Sequence, residues 1–209
     1  MRNCRLYAIL DRGALKNRDT IKVARDVFRG GADIVQFRDK VSGDGEFLKC
    51  ARALKNMAKR YSRLFIINDR VDIARVVGAD GVHLGQSDMP IKDARRIVGK
   101  KIIGMSTHSL KEANAAQKSG ADYIGIGPVF KSRTRKKTSP ISPPVLKSVN
   151  KNIDIPVFAI GGISLENIAG LKKRGVNRAA VISSINRAKN VYSSVKKLKE
   201  ALNDTVRSS

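Results

Sequence analysis

The chain of 209 residues has no long apolar run. No stretch approaches the roughly 20 consecutive apolar residues that a membrane helix needs. The N-terminus has no long apolar segment of the kind found in signal peptides. The sequence therefore predicts a cytoplasmic protein without a membrane partner.

Cysteine and histidine are scarce, with two residues of each. Cys4 and Cys50 fit no metal-ligand spacing and are expected to be reduced thiols. The sequence offers neither histidine a partner for a catalytic triad or a zinc site. His83 lies within an apolar run and is predicted to be a hydrogen-bonded interior residue. His108 has two interpretations, a substrate contact or a helix cap.

Acidic residues are few, 18 Asp and Glu against 42 Lys and Arg, which gives a net charge of +24. Such an excess is compatible with nucleic-acid binding, with anionic ligands or with no specific role. The cations are spread along predicted helices, the only dense run is 131–137, and no nucleic-acid-binding motif accompanies it. We expect mostly solvated helix surface, and nucleic acid is not expected as a partner. A homo-oligomer is possible, since the sequence does not determine the oligomeric state.

Short apolar runs alternate with longer amphipathic segments along the whole chain, which is typical of βα units. Eight strands, each followed by a helix, predict an α/β fold, a single (β/α)8 TIM barrel formed by one domain of residues 1–209. An open doubly wound sheet is the alternative, although it usually has fewer strands. The predicted strands are Leu6–Leu10, Ile34–Phe37, Leu64–Ile67, Gly81–Leu84, Lys101–Gly104, Tyr123–Ile126, Val157–Ile160 and Ala179–Ile182.

A Gly-Ala-Asp tripeptide recurs before strands two, four and six, and the looser Gly-Val-Asn precedes strand eight. Glycine at this position can take the left-handed conformation that ends a helix. The Asp or Asn that follows suits the turn into the strand. The recurrence at every second strand favours a barrel of repeated two-unit modules, although the tripeptide can also be a common connector.

Polar residues follow strand two, at the end where this fold places its active sites. In the segment Gln36-Phe37-Arg38-Asp39-Lys40, alternation puts Gln36, Arg38 and Lys40 on one side. Two cations and an amide at one strand end predict an anion site. A salt bridge to Asp39 is the alternative.

Aspartates follow the next two strands. Asp69 and Asp88 lie at the ends of adjacent strands, so both carboxylates can reach one cation. Two carboxylates with substrate phosphate oxygens are typical of Mg²⁺ sites. The alternative is helix capping, to which Asp88 before Met89-Pro90 is suited.

Two later loops predict a second anion site. Glycine-rich turns after strand seven (Gly161, Gly162) and the start of a helix after strand eight (Ser183) expose backbone N–H groups, the recurrent phosphate site of these barrels. A loop after strand six can close over an anionic ligand or be a solvated loop. This loop contains Ser132, Arg133, Thr134, Arg135 and Lys136. Two anion sites and a metal at one barrel mouth suit an enzyme that handles a diphosphate and a monophosphate together.

Five segments in order along nearly the whole chain resemble the thiamine phosphate synthase family: 36–40, 68–72, 78–86, 122–130 and 159–163. The resemblance implies a Mg²⁺-dependent transferase that joins a pyrimidine methyl diphosphate to a thiazole phosphate, giving thiamine phosphate and diphosphate. It implies that residues 36–40 and Asn68 hold the pyrimidine diphosphate, that Asp69 and Asp88 bind Mg²⁺, and that Ser106 contacts the diphosphate. The thiazole phosphate would meet Ser132, Thr134, Gly162, Ile182 and Ser183.

The strand-six loop departs from the family pattern, Thr-x-Thr-Lys, in which the lysine contacts the diphosphate. Here Ser132 keeps the hydroxyl, and Arg135 keeps the charge without the compact ammonium. Lys136 can replace the lysine if the loop shifts by one residue. The candidate catalytic residues are therefore Arg38, Lys40, Arg135 and Lys136.

The mechanism that the resemblance implies is loss of diphosphate, stabilised by Mg²⁺ and the cations, followed by attack of the thiazole nitrogen on the pyrimidine methylene. A tertiary ring nitrogen needs no general base. The nearest alternative is a thiazole tautomerase of the same fold, which need not retain the pyrimidine and metal residues that this chain has. A non-catalytic nucleic-acid-binding barrel rests on net charge alone.

Overall fold

The computed structural model describes residues 1–131, 139–172 and 174–204. Eight strands in these ranges form a closed parallel barrel in which β1 to β8 follow one another around the circle. The elements in chain order are β1 (Leu6–Asp11), α1 (Arg12–Leu15), α2 (Thr20–Arg29), β2 (Ile34–Arg38), α3 (Asp44–Arg60), β3 (Leu64–Asn68), α4 (Val71–Val76), β4 (Gly81–Leu84), α5 (Ile91–Val98), β5 (Ile102–Thr107), α6 (Leu110–Lys118), β6 (Tyr123–Ile126), α7 (Pro143–Asn152), β7 (Val157–Ile160), α8 (Ile168–Lys172), β8 (Ala179–Val181), α9 (Ser183–Asn186) and α10 (Val191–Asn203). The predicted (β/α)8 barrel is confirmed.

The strand bounds differ from the predicted ones most at β5, and by one residue at β1, β2, β3 and β8. β5 extends to Thr107 because Ser106 and Thr107 continue the parallel pairing with Gly125 and Ile126 of β6. β8 ends one residue early because Ile182 leaves the extended conformation and becomes the N-cap of α9. The predicted bounds of β4, β6 and β7 are correct.

Alternation along the strands divides the buried residues into two apolar clusters. The larger cluster includes Val35, Phe37 and Ile67 and lies between the strands and the surrounding helices. The smaller cluster fills the barrel interior. Its buried members are Tyr7, Ile9, Ile34, Ile66, Tyr123, Phe158 and Ala180.

The Gly-Ala-Asp connectors have the predicted conformation and an additional role. Gly31, Gly78 and Gly120 have positive φ, as does Gly175 of the looser fourth copy. The three aspartates, Asp33, Asp80 and Asp122, each accept a hydrogen bond from a backbone N–H at the start of the preceding strand, namely Leu6, Phe65 and Ile103. These carboxylates therefore satisfy strand N–H groups at the end of the barrel opposite the mouth.

The helices pack by the apolar faces that the sequence indicates. In α2 the helical spacing of the sequence predicts an apolar face of Ile21, Ala24, Val27 and Phe28, and the structure buries the last three together with Val23, while Ile21 is partly buried. α10 buries Val191, Val195, Leu198 and Leu202, which the same spacing places on one face. The spacing of the sequence also predicts Val206 on this face, and Val206 lies outside the described residues. None of the helices in the described ranges is long and apolar enough to cross a membrane.

Candidate active site at the barrel mouth

The two cations at the end of β2 each contact a carboxylate. Arg38 donates to Asp11, the last residue of β1, with 2.6 Å between Nη1 and Oδ2. Lys40 forms an ion pair with Asp69 just beyond β3. Arg38 therefore pairs with Asp11 and not with Asp39, the alternative considered from the sequence. Parallel register brings Asp11 beside Arg38 because the two residues are partners in the β1–β2 pairing.

Phe37 and Asp39 alternate with these cations, and their side chains point elsewhere. The Phe37 ring is fully buried between sheet and helices, with 5.0 Å between its centroid and that of the Phe47 ring. The Asp39 carboxylate accepts hydrogen bonds from the backbone N–H groups of Val41 and Ser42, at 2.9 and 3.0 Å. The Asp39 side chain thus supports the loop after β2, whereas the Phe37 ring does not reach the mouth and its backbone lies in a strand paired with both β1 and β3. Substrate contacts by these two residues stay predictions.

Asp69 and Asp88 lie close enough that each carboxyl group shifts the pKa of the other. Neither caps a helix, because Arg70 is the N-cap of α4 and Pro90 that of α5, both without a side-chain cap. Asp88 instead accepts from the Gly85 N–H at 2.6 Å. The backbone N–H of Asp69 donates to the His83 carbonyl while Asp69 has a φ of 59°. Capping, the alternative considered from the sequence, is therefore wrong.

The proximity of the two carboxyl groups separates their pKa values. Burial raises the pKa of Asp69, the hydrogen bond with Asp88 raises it further, and the Lys40 ammonium opposes both effects. Burial alone would raise the pKa of Asp88, but hydrogen bonds from Asp69 and from the Gly85 N–H outweigh it, so that this pKa is lowered. Negative charge is thus concentrated on hard oxygen donors, with one ammonium beside them.

Gln36, Asn68 and Ser106 lie on the interior side of their strands. Gln36 is only 2% exposed, and its Nε2 donates to the hydroxyl of Tyr7 at 2.7 Å. Alternation from the interior residue Ile66 places Asn68 on the same side at the end of β3. Ser106 lines the mouth cavity, and Gln86 Nε2 donates to its carbonyl at 2.6 Å.

His83 is the hydrogen-bonded interior residue that the sequence predicts. Its Nδ1 lies 2.9 Å from the Tyr123 hydroxyl, and its Nε2 lies 2.9 Å from the Ser106 hydroxyl. Burial lowers the pKa of His83 to about 4, although nearby Asp88 acts in the opposite direction. The ring is therefore neutral near pH 7. Burial also raises the pKa values of Tyr7 and Tyr123, which keep their hydroxyl protons.

His108 lies at the mouth and does not cap α6. Ser109 is the N-cap, accepting from the Glu112 N–H at 3.2 Å. The His108 ring contacts the carbonyl of Gly127 through Nδ1, at 2.7 Å, and lines the same cavity as Ser106. Of the two interpretations considered from the sequence, the helix cap is wrong and the substrate contact stays a prediction.

The second predicted anion site lies across the mouth from β2. A cavity of about 130 Å³ extends from Ser106 to Gly161, Gly162, Ile182 and Ser183. A wider cavity of about 520 Å³ adjoins it and is also lined by Gly162 and Ser183, together with Arg187. The predicted thiazole-site residues of β7 and β8 are therefore brought together.

Both glycines of this turn are required by close packing. Gly161 and Gly162 have φ values of 100° and 65°. A Cβ on Gly161 would lie 2.5 Å from Pro128 Cβ, and one on Gly162 would lie 2.6 Å from the carbonyl oxygen of Lys131. These glycines thus allow the chain after β6 to lie against the chain after β7. Ser132, Arg133, Thr134, Arg135 and Lys136 lie outside the described residues.

A family model described as thiamine monophosphate synthase matches residues 6–185. The chain belongs to this family. The match begins at β1 and ends within α9, so it includes every strand and every described residue of the candidate site. The family resemblance inferred from the sequence is confirmed.

Individual relatives agree with the family model. A thiamine-phosphate synthase of Halalkalibacterium halodurans is 44% identical over 193 residues, which are 91% of this chain and 92% of the relative. One of Shouchella clausii is 39% identical over 206 residues, covering 98% and 99% of the two chains. The solved structure of a thiamine phosphate pyrophosphorylase from Pyrococcus furiosus superposes with a TM-score of 0.87 at 38% identity, covering 95% of each chain.

The structure adds four residues that the sequence-based prediction of the site did not include. Asp11 holds Arg38, Gln86 contacts Ser106, and Tyr7 and Tyr123 connect Gln36 to His83. Asp11 directly follows the first apolar run, so the strand-end rule used for the other strands would have found it. The two tyrosines give no such signal, since an aromatic residue within an apolar run normally indicates only core packing.

Proposed function

We propose that this enzyme joins a pyrimidine methyl diphosphate to a thiazole phosphate, releasing diphosphate and forming thiamine phosphate. The family match over residues 6–185 carries this proposal. The mouth geometry supports it, because cations and carboxylates lie at β2 to β4 and the glycine-rich turns lie across the cavity. Two anionic substrates can therefore bind at opposite sides of one mouth.

We assign Mg²⁺ to Asp69 and Asp88. The pair supplies hard carboxylate oxygens with excess negative charge, which fits a magnesium ion that also binds substrate phosphate oxygens and water. Within the described ranges, no group of three or more His, Cys, Asp or Glu side chains is arranged to hold a metal, so the protein alone offers a two-carboxylate site. When bound, the ion would neutralise charge on the departing diphosphate.

The protein's own side chains supply the rest of the electrostatic stabilisation. Arg38 and Lys40 lie where they can donate to diphosphate oxygens, after exchanging Asp11 and Asp69 for the substrate. Gln36, Asn68 and Ser106 are the polar interior groups nearest to this edge, and we assign them to the pyrimidine substrate. Arg135 and Lys136 stay the two candidates for the cation of the strand-six loop.

The opposite side of the mouth orients the nucleophile. We assign the thiazole phosphate to the backbone of Gly161, Gly162, Ile182 and Ser183, which line one cavity. Ser132, Arg133 and Thr134 complete this assignment from the sequence. Holding the thiazole nitrogen towards the pyrimidine methylene lowers the entropic cost of bringing the two reacting atoms together in the right geometry. The thiazole nitrogen has no proton to lose, so no general base is assigned.

The decisive experiment incubates the purified enzyme with both substrates and Mg²⁺ and detects thiamine phosphate and diphosphate. Formation of both products in equal amounts is expected. Conversion of the thiazole substrate alone, without diphosphate release, would instead identify a tautomerase. Four further statements stay predictions from the sequence: a cytoplasmic location, a single domain over residues 1–209, the lack of a nucleic-acid partner, and the possibility of a homo-oligomer.

A further inference from the structure

Five polar side chains form one continuous hydrogen-bonded chain across the barrel interior, which we call the interior chain. It runs from Gln36 on β2 through Tyr7 on β1, Tyr123 on β6 and His83 on β4 to Ser106 on β5. The four successive contacts measure 2.7, 2.8, 2.9 and 2.9 Å. Only its last member, Ser106, lines the mouth cavity.

We propose that the interior chain is directed, and that it fixes the Ser106 hydroxyl as a hydrogen-bond donor to a phosphate oxygen of the substrate at the mouth. Tyr7, Tyr123 and His83 are then positioning residues, because they act on substrate only through Ser106. The phosphate ligand rests on the function proposed above, whereas the direction of the chain rests on the orientation of the Gln36 amide.

The direction follows from which atoms can donate. Gln36 Nε2 can only donate, so the Tyr7 oxygen accepts and the Tyr7 hydrogen is free for Tyr123. Tyr123 in turn donates to Nδ1 of His83, which leaves the neutral ring with its proton on Nε2. That proton is donated to Ser106 Oγ, and the Ser106 hydrogen remains available to an acceptor at the mouth.

The orientation of the Gln36 amide decides between two opposite chains. If its carbonyl oxygen faced Tyr7, all four hydrogen bonds would reverse, and Ser106 would direct its hydrogen at His83 Nε2. Ser106 could then only accept from a ligand, which does not suit a phosphate oxygen. In the structure Gln36 Nε2 contacts Tyr7, and with this orientation the Ser106 hydroxyl is the donor at the mouth.

Close packing holds the two tyrosines in register. Both rings contact Phe158 edge to face, with centroids 5.5 Å away for Tyr7 and 5.7 Å for Tyr123. Gly104 provides the room for Tyr123, because a Cβ at this position would lie 2.4 Å from the tyrosine hydroxyl oxygen. The hydroxyl groups therefore have little freedom to leave the interior chain.

The tautomer of His83 tests the direction without any substrate. The chain contains only two histidines, so ¹⁵N labelling of histidine gives two resolvable rings, and a His108→Gln variant assigns them. At pH 7 we expect His83 to carry its proton on Nε2, with an unprotonated and hydrogen-bonded Nδ1. In Tyr123→Phe the Nδ1 resonance should shift as its donor is lost. A proton on Nδ1, or a mixture of tautomers in the unsubstituted enzyme, overturns the proposal.

Kinetics test the effect on Ser106. Tyr123→Phe should lower kcat/KM for the pyrimidine diphosphate by about 10-fold, the size expected for one misplaced hydrogen bond to a charged group, without changing KM for the thiazole phosphate. Tyr7→Phe should have a smaller effect, since Tyr123 can still donate to His83, and it replaces Tyr123→Phe if that variant does not fold. Tyr61→Phe is the matched control, because this ring stacks on Phe28 outside the barrel interior.

A double-mutant cycle separates positioning from a general loss of structure. In a Ser106→Ala background, Tyr123→Phe should cause no further loss of kcat/KM for the pyrimidine diphosphate. A loss of the same size in both backgrounds contradicts the proposal. If the unsubstituted enzyme forms no thiamine phosphate, the proposed function fails, and the histidine tautomer still decides whether the interior chain is directed.

Discussion

At the residue scale, the candidate site consists of charged groups that neutralise one another until substrates bind. Arg38 lies against Asp11, and Lys40 lies against Asp69. Such pairs keep the cations from being left unpaired in a partly buried mouth. They also mean that an anionic ligand of Arg38 or Lys40 has to replace a carboxylate partner when it binds.

The magnesium assignment predicts that Asp69→Asn lowers the rate of diphosphate release by at least about 100-fold, because a removed charge weakens both metal binding and charge stabilisation. The measurement is release of diphosphate as a function of Mg²⁺ concentration. Asp93→Asn, which removes an exposed carboxylate on α5 paired with Arg96, is the matched control. Near-normal turnover of Asp69→Asn at low Mg²⁺ would exclude the assignment.

His83 predicts a pH dependence of stability. Its pKa of about 4 in the folded protein lies below the value of about 6.5 for an unfolded chain, so below pH 6.5 the unfolded state binds the proton first. Stability is therefore unaffected by this group above pH 7 and decreases as the pH falls towards 4. Between pH 7 and 5 the loss should be about 1–2 kcal/mol.

Urea unfolding at pH 7 and pH 5 measures this loss. A His83→Gln variant should show a smaller decrease between the two pH values, although it is less stable at pH 7 because its contacts with Tyr123 and Ser106 change. Equal decreases in both proteins would show that other groups cause the pH dependence.

At the element scale, alternate side chains of each strand face the helices and the barrel interior. Small residues at interior positions leave room for large side chains of other strands. Tyr123 occupies space beside Gly104 on the neighbouring strand, whereas a Cβ added to Gly125 would meet His83 only at ordinary contact distance. Glycine on β5 is thus required by the large ring on β6 and not by its own backbone conformation. The same pairing of β5 and β6 carries Ser106 to the mouth.

Gly104→Ala should destabilise the protein by about 2–3 kcal/mol, since its Cβ would lie 2.0 Å from Tyr123 Cζ in a filled interior. Chemical denaturation measures the change. Gly45→Ala on α3, where nothing lies within 4 Å of an added Cβ, is the control and should be neutral or stabilising by up to about 1 kcal/mol. A Gly104→Ala protein as stable as the unsubstituted one would contradict the described packing of Tyr123.

At the scale of the whole molecule, the charge of +24 acts on every anion near the surface and on the chain itself. Like charges on one compact molecule repel, and the repulsion decreases as salt shortens the screening length. Ion pairs such as Lys55 with Asp80 and Lys199 with Asp33 oppose this effect locally. Because cations outnumber anions by more than two to one, the repulsion should dominate.

Adding NaCl at low ionic strength should therefore stabilise the folded protein. The expected result is a higher urea midpoint at about 200 mM than at about 20 mM salt, since the Debye length shortens from about 20 to under 10 Å over this range. Urea is chosen because it is uncharged. A midpoint that falls with salt would show that the ion pairs contribute more than the net charge.

The sequence by itself determined the barrel and the edge at which its chemistry lies. Periodicity marked the eight strands, and the parallel topology requires that all strand ends with polar residues meet at one mouth. It therefore places Arg38, Lys40, Asp69 and Asp88 at one edge without coordinates, whereas Ser106 is predicted from the family resemblance. Only the tertiary structure decided which groups touch: Arg38 with Asp11, Asp69 with Asp88, and Gln36 with Ser106 through two tyrosines and a histidine. Strand register and barrel closure set these distances, and local periodicity carries no information about them.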